Sequence, residues 1–313
     1  YNTFIMKIYW GACNSGKAHL KMLYRADCKP QLEFANNGYH AVKLDYVDGN
    51  EYEVFYYSDG NIQREIRQKN TTLDDKLTYN YGEKYNYVDD RPPLVRTKYG
   101  NNKNRKVSNY SPIFLSQNWE HLIDEWYNCE LMITPYPLIG IASQKQCVTR
   151  YRTKPTDKCL SLVKSATNIV PYKSNLLDSM ISKLSLFDKI ESARKSKKLT
   201  GRFVVFKDLS DVYNKHKEML WHHLDGILEE HREIEYRLRQ LDIPYQYFDL
   251  DNDSYDIFEC TNRLPSTYTH PDWDLTDSET HSNWTILRDI AEEYIELRNL
   301  HDMRLDATIT GKV

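Results

Sequence analysis

The chain has 313 residues with a formal net charge of −3, and 40% of its residues are hydrophobic. This length suffices for one large domain or two modest ones with a real core. The nearly balanced charge does not by itself demand a nucleic-acid partner. The chain contains no apolar run of about 18 residues, which predicts that no segment spans a membrane.

Residue usage is biased toward tyrosine, asparagine and lysine, with 25 tyrosines against 11 glycines and 11 prolines. Such a bias suits an AT-rich coding genome, such as that of a phage or another virus. The start of the chain lacks a basic stretch followed by an apolar one, so no signal peptide is predicted. The six cysteines include no C-x-x-C pair, which argues against a zinc knuckle or a thioredoxin-like motif. We therefore expect a cytoplasmic protein, located in the host cytoplasm if it is viral.

The first predicted elements are a strand, a turn and a helix. Residues 4–10 (FIMKIYW) form an apolar, strand-like run, and residues 18–25 (AHLKMLYR) predict a helix. The segment between them has the pattern Gly-x-x-x-x-Gly-Lys and consists of Gly11, Ala12, Cys13, Asn14, Ser15, Gly16 and Lys17. Glycines permit a tight turn whose backbone N–H groups point at phosphate oxygens, and Lys17 would reach terminal phosphates as a point charge. The alternative is an ordinary strand-to-helix turn.

This motif, lying between a strand and a helix, resembles the phosphate-binding loop of P-loop nucleotide-binding proteins. The resemblance implies ATP and Mg²⁺ as cofactors, with residues 11–18 around the nucleotide. The family places Ser or Thr after the lysine, where the hydroxyl ligates Mg²⁺, and this chain has Ala18. Three interpretations stay open: water and carboxylates alone hold the metal, the site binds nucleotide without efficient turnover, or it binds another anion.

The next region, up to residue 115, is predicted to be rich in β-structure and tyrosine. Residues 41–47 and 51–57 predict strands, and Asp-Gly between such runs is a strong hairpin signal. Residues 70–111 are polar without a clear period and predict a long loop or a mobile insertion. Basic residues interleaved with tyrosines there offer a possible nucleic-acid contact through Arg91, Arg96, Lys98, Lys103, Arg105 and Lys106. A solvated tyrosine-rich surface is the favoured interpretation of this block.

From residue 116 onward, predicted strands alternate with helices. Strands are predicted at 130–134, 202–208 and 244–249, and helices at 119–127, 172–192, 212–241 and 285–303. Alternation of this kind favours an α/β layer with a mostly parallel sheet. The predicted fold is therefore α/β, a P-loop three-layer sheet with a β-rich insertion. Its parts are residues 1–40 with the phosphate loop, 41–115 as the insertion or lobe, and 116–313 as the rest of the core.

The order of strand, long charged helix, Ile-Pro and strand over residues 203–249 is similar to the late part of the thymidylate kinase and deoxynucleoside kinase group. This resemblance implies that Asp208, which closes an apolar strand, is a catalytic carboxylate at the Mg²⁺ site. It also implies that Arg232 and Arg239 clamp phosphates alongside the catalytic Lys17. Asp208 is otherwise a helix N-cap, and the arginines are otherwise a solvated face paired with glutamates. The Asp-Arg pair that this group carries after its third strand is absent after residues 131–134.

The leading functional hypothesis is an ATP-dependent phosphotransferase that acts on a nucleoside, a nucleotide or a nucleic-acid base. One alternative is an ATPase coupled to nucleic acid. The other is a non-catalytic viral structural or interaction protein with a degenerate phosphate loop.

Overall fold

The computed structural model describes residues 5–11, 16–34, 40–57, 62–69, 122–144, 149–152, 154–177, 179–181, 184, 210–262, 284–301 and 304. The strands are β1 (Lys7–Tyr9), β2 (Gln31–Phe34), β3 (His40–Val47), β4 (Asn50–Tyr57), β5 (Ile62–Gln68), β6 (Leu131–Ile133), β7 (Ile141–Gln144), β8 (Thr149–Arg152), β9 (Thr167–Tyr172) and β10 (Gln246–Asp249). The helices are α1 (Lys17–Ala26), α2 (Leu122–Trp126), α3 (Asp157–Ser165), α4 (Ser210–Gln240) and α5 (Trp284–Arg298). Two 3₁₀ turns span Tyr136–Ile139 and Tyr255–Phe258.

Eight of these strands form one mixed sheet in the order β10-β9-β1-β6-β2-β3-β4-β5, and β7 pairs with β8 separately. The strands from β10 to β2 are parallel to one another, whereas β3, β4 and β5 continue the sheet in antiparallel fashion. The predicted α/β class is confirmed at this level. The five parallel strands end at one common border, which we call the carboxyl edge.

The predicted hairpin is confirmed by the pairing of β3 with β4. Both turn residues have positive φ, 51° at Asp48 and 75° at Gly49. This is the requirement of a type I′ turn, whose twist matches that of the flanking strands. The antiparallel strands therefore extend the main sheet, and α1 contacts them directly through the charges described below.

Strand β9 corrects the predicted helix over residues 172–192, because Tyr172 ends this strand and the helical residues begin only at 176. Pro171 lowers the strand propensity of this segment. It is tolerated because residues 167 and 169 bond to β1, so the position of the missing N–H of Pro171 lies on that same side, beyond the last paired residue of β1. Helix α3 was also not predicted; the side chain of Thr156 caps its first turn by accepting from the Cys159 backbone N–H.

Side chains alternate across the sheet and create two buried layers. One layer lies between the sheet and the helices α2, α3 and the end of α4, and it includes Ile8, Trp10, Met132, Val170 and Leu238. The other layer lies between the opposite face of the sheet and α1 with the second 3₁₀ turn, and it includes Tyr9, Leu23, Ile133, Ile169 and Phe258. A third cluster joins Leu176, Met180, Ile181 and Leu184 to the middle of α4 and to α5. Among the described helices, none is long and apolar enough to cross a membrane.

A buried ionic network fixes α1 to the antiparallel strands. The guanidinium of Arg25 contacts the Glu51 carboxylate at 2.9 Å, and both side chains have 0% exposure. Arg67 on β5 contacts Glu51 at 3.1 Å and Glu53 at 2.6 Å, and the Tyr46 hydroxyl donates to Glu51 at 3.2 Å. Glu51 therefore bridges a helix and a neighbouring strand from within the core.

Replacing Glu51 with Gln should strongly destabilise the fold, because two buried guanidinium groups lose their shared carboxylate. We expect the free energy of unfolding in urea to fall by about 3–5 kcal/mol. The matched control is Asp124→Asn, which removes an exposed ion pair in which the Asp124 carboxylate lies 2.7 Å from Lys158 Nζ. This control should change the free energy of unfolding by less than about 1 kcal/mol. Equal effects of the two substitutions would contradict the bridging role of Glu51.

Candidate functional site at the end of the central strand

The chain reverses its direction across the sheet beside β1. After β1 it builds β2 and β6 on one side, and then β9 and β10 on the other. In open α/β sheets, ligands bind at such a switch point, in the crevice outside the carboxyl ends of the strands. Gly11 comes two residues after Tyr9, which ends β1, and Gly16 precedes α1. The predicted phosphate loop therefore joins its flanking elements at this position, although residues 12–15 lie outside the described part.

The first glycine of the motif is held by neighbouring elements. The Tyr136 hydroxyl donates to the Gly11 carbonyl at 3.3 Å. On either side of the end of β1, Trp10 donates its backbone N–H to Ile169 and Thr134 donates to Tyr9, both at 2.9 Å. The strand end that carries the loop is thus hydrogen-bonded to both adjacent strands.

The second glycine, Gly16, has a backbone conformation that other residues rarely adopt. Its φ of 71° places it in the left-handed region, directly before the first residue of α1. A Cβ at this position would lie 2.5 Å from Leu250 Cδ2 and 3.0 Å from the Tyr255 hydroxyl oxygen. The backbone conformation therefore favours glycine, and a Cβ here would also require the Leu250 side chain to shift.

Lys17 opens α1 and faces a carboxylate that the sequence did not indicate. Its Nζ lies 3.5 Å from Glu33 Oε1, and Lys21 Nζ lies 2.5 Å from Oε2 of the same group. Burial of Glu33 opposes its ionisation, but the charges of Lys21 and Lys17 outweigh this effect and lower its pKa to about 2. The spacing of Lys17 and Lys21, one turn apart on α1, can be read from the sequence. The position of Glu33 beside that turn cannot, because it depends on where β2 lies in the tertiary fold.

The predicted arginines occupy different environments on α4. Arg232 comes between Leu228 and Ile234 along α4. Leu228 packs in the third cluster, which includes residues after β9, and Ile234 packs on the sheet. Its buried Nε and Nη2 have no hydrogen-bond partner among the described residues. Arg239 donates from Nε to the Tyr245 hydroxyl at 2.8 Å, just before β10 begins. The structure thus places Arg239 near the amino end of β10, whereas Lys17 follows the carboxyl end of β1.

The metal site predicted at Asp208 lies outside the described residues, as do the six basic residues between 91 and 106. Within the described residues, no group of three or more histidine, cysteine or acidic side chains could hold a metal ion. Ala18 contributes no hydroxyl. The Mg²⁺ ligand Asp208 therefore stays a prediction.

No protein-family model, curated protein or solved structure matches this chain. The coarse class, an α/β protein with an eight-stranded mixed sheet, follows from the structure alone.

Replacing Gly16 with Ala should destabilise the protein for two reasons. The left-handed conformation costs about 1–2 kcal/mol for a residue with a Cβ, and the added atom would press on Leu250 and Tyr255. Gly49→Ala is the matched control, because Gly49 has a similar φ of 75° in the β3–β4 turn. Urea unfolding should show a larger loss of stability for Gly16→Ala than for Gly49→Ala. A smaller loss would mean that the contacts with Leu250 and Tyr255 impose no constraint.

Ionised Glu33 should make wild-type stability depend on pH in the acidic range. Because folding lowers its pKa from 4.5 to about 2, the folded state releases this proton more readily than the unfolded chain. The resulting stabilisation, on the order of 3 kcal/mol, is complete above about pH 4.5 and disappears as the pH falls toward 2. Urea unfolding of wild type and Glu33→Gln between pH 7 and pH 2 measures it. The advantage of wild type should shrink across that range, and a constant difference would show that the two lysines do not stabilise the carboxylate.

Proposed function

We propose that this chain is a P-loop phosphotransferase that transfers the γ-phosphoryl group of ATP to a nucleoside, a nucleotide or a nucleic-acid base. One observation carries the proposal: the Gly-x-x-x-x-Gly-Lys segment follows the central parallel strand at the switch point of the sheet. Gly16 has the left-handed conformation there, and Lys17 begins the helix. A cytoplasmic location belongs to the same proposal.

The arrangement of layers supports a P-loop type of fold for the parallel half of the sheet. β1 lies between β9 and β6, so the strand that carries the loop is internal. Helix α1 covers one face, and α2, α3 and the end of α4 cover the other. An internal strand followed by a glycine-containing turn and a helix directs the helix N-terminus toward the carboxyl edge, where an anion is stabilised by free N–H groups and by the helix dipole.

The charges at the loop suit a phosphate ligand. Glu33 divides its carboxylate between Lys17 and Lys21. An incoming phosphate would compete with Glu33 for Lys17, and Glu33 would retain Lys21. Lys17 would then neutralise charge on the phosphates, which is the main requirement of phosphoryl transfer.

Arg232 supplies a second group that an anionic ligand would satisfy. Buried donors without a partner are costly, and the Nε and Nη2 of Arg232 lack one among the described residues. Along α4, Arg232 comes between Leu228, which packs in the cluster after β9, and Ile234, which packs on the sheet. A role of Arg232 in contacting phosphate is therefore part of the proposal. Arg239, which contacts Tyr245, has less support from its surroundings.

Replacing Lys17 with Ala should abolish or greatly weaken nucleotide binding. A ligand that binds only the native state stabilises it by mass action, by about 2.7 kcal/mol when the ligand concentration is a hundred times Kd. This added stability raises the melting temperature. Thermal-shift titration of wild type with ATP and GTP, with and without Mg²⁺, measures this effect. The matched control is Lys164→Ala on the exposed side of α3, which should respond like wild type. An undiminished shift in Lys17→Ala would refute the proposed phosphate loop.

Turnover assays separate this function from its two alternatives. Transfer of labelled γ-phosphate to an added nucleoside, nucleotide or oligonucleotide would support the phosphotransferase. Hydrolysis that is stimulated by single-stranded DNA or RNA and weakened by salt would indicate a nucleic-acid-coupled ATPase. Binding without transfer or hydrolysis would indicate the non-catalytic alternative, which the lack of a hydroxyl at Ala18 favours.

A further inference from the structure

Residues 250–262, which follow β10 and which we call the strap, lie along α1 from its first residue to its last. At the first turn of α1, Leu250 and Tyr255 contact the position of Gly16. Directly after the last residue of α1, the Asp27 carboxylate accepts from the backbone N–H of Thr261 at 2.5 Å and of Asn262 at 2.8 Å. Burial of Asp27 opposes its ionisation, but these hydrogen bonds outweigh the effect and lower its pKa.

The middle of the strap is fixed by packing and charge. Phe258 is fully buried, and its ring lies 5.9 Å from the ring of Tyr9. The Tyr24 hydroxyl donates to the Phe258 carbonyl at 3.4 Å, and Lys7 contacts Glu259 at 2.7 Å. The strap therefore contacts α1 or β1 at both of its ends and in its centre, and these contacts restrict the positions that its side chains can take beside Gly16.

Tyr255 is the strap residue that presents a polar group to the loop. Its ring is held by His19, with centroids 4.6 Å apart, and by Phe248 at 5.1 Å. Its hydroxyl oxygen lies 3.0 Å from the place that a Cβ of Gly16 would occupy. Burial raises the pKa of Tyr255 to about 12, so the hydroxyl keeps its proton at neutral pH. No hydrogen bond connects this hydroxyl to another described residue.

We propose that Tyr255 is a phosphate-binding residue outside the loop motif, whose hydroxyl donates a hydrogen bond to a phosphate oxygen of the bound nucleotide. The inference rests on the proposed function, because it needs a phosphate at Gly16 and Lys17. Because Gly16 has no side chain, the Tyr255 hydroxyl can lie close to the Gly16 backbone. A protonated phenol with a fixed ring supplies a donor that needs little ordering when the ligand binds.

Tyr255→Phe tests this inference, because it removes the hydroxyl and keeps the ring contacts. Calorimetric titration with ATP and with inorganic tripolyphosphate measures the affinity for the complete nucleotide and for phosphates alone. We expect both affinities to fall about tenfold, the effect of losing one hydrogen bond to a charged group. The melting temperature of the unliganded variant should stay close to that of wild type.

Tyr24→Phe is the matched control, because the Tyr24 hydroxyl contacts the same strap at Phe258, in the second half of α1. Its affinities should remain within about twofold of wild type. Unchanged affinities in Tyr255→Phe, beside a wild type that binds ATP, would overturn this inference and leave the proposed function in place. Equal losses in both variants would also overturn it, because they would indicate a general disturbance of the strap. If wild type and all variants bind neither probe, the proposed function fails and this inference fails with it.

Discussion

The position of helix α1 depends on carboxylates that come from the sheet. Glu51 pairs with Arg25 in the core near the last turn, and Glu33 pairs with Lys17 and Lys21 in the first two turns. A buried charge is tolerated only when its partners are present in the correct geometry, so these contacts favour one orientation of α1 over others of similar apolar burial. The N-terminus of α1, with Gly16 and Lys17, consequently lies at the carboxyl edge beside β1.

The same helix is restrained on its other side by the strap. Asp27 holds the strap directly after the last turn, while Leu250 and Tyr255 meet Gly16 at the first. Gly16 is thus confined by its own left-handed backbone and by side chains that come from more than 230 positions later in the chain. The restraint falls on Gly16, the residue directly before α1. This restraint accounts for the physical link between the strap and the proposed nucleotide site.

Local signals in the sequence predicted the elements whose cause is local. The Gly-x-x-x-x-Gly-Lys pattern located the turn between β1 and α1, and the Asp48–Gly49 pair located the β3–β4 hairpin, since both depend on positive φ. The role of Glu33 and the course of the strap could not be predicted, because they arise when distant segments meet, as Lys7 and Glu259 do. The β9 strand was obscured by Pro171, which is tolerated only because β1 ends before it.

The shared carboxylate of Glu33 determines how readily Lys17 can turn to a ligand. If Lys17 were the sole partner of Glu33, a phosphate that attracted Lys17 would leave an unpaired carboxylate in a largely buried site, at a cost comparable to the gain. Lys21 is closer to Glu33, at 2.5 Å against 3.5 Å for Lys17, so the stronger contact stays intact when the weaker one is exchanged. The pair of lysines therefore lets the site keep its fold while one cation changes partner. Under the proposed function, phosphate binding would need this exchange, whereas phosphoryl transfer would also need a metal that Ala18 cannot ligate through a side-chain oxygen, so nucleotide affinity and transfer rate would be separate properties.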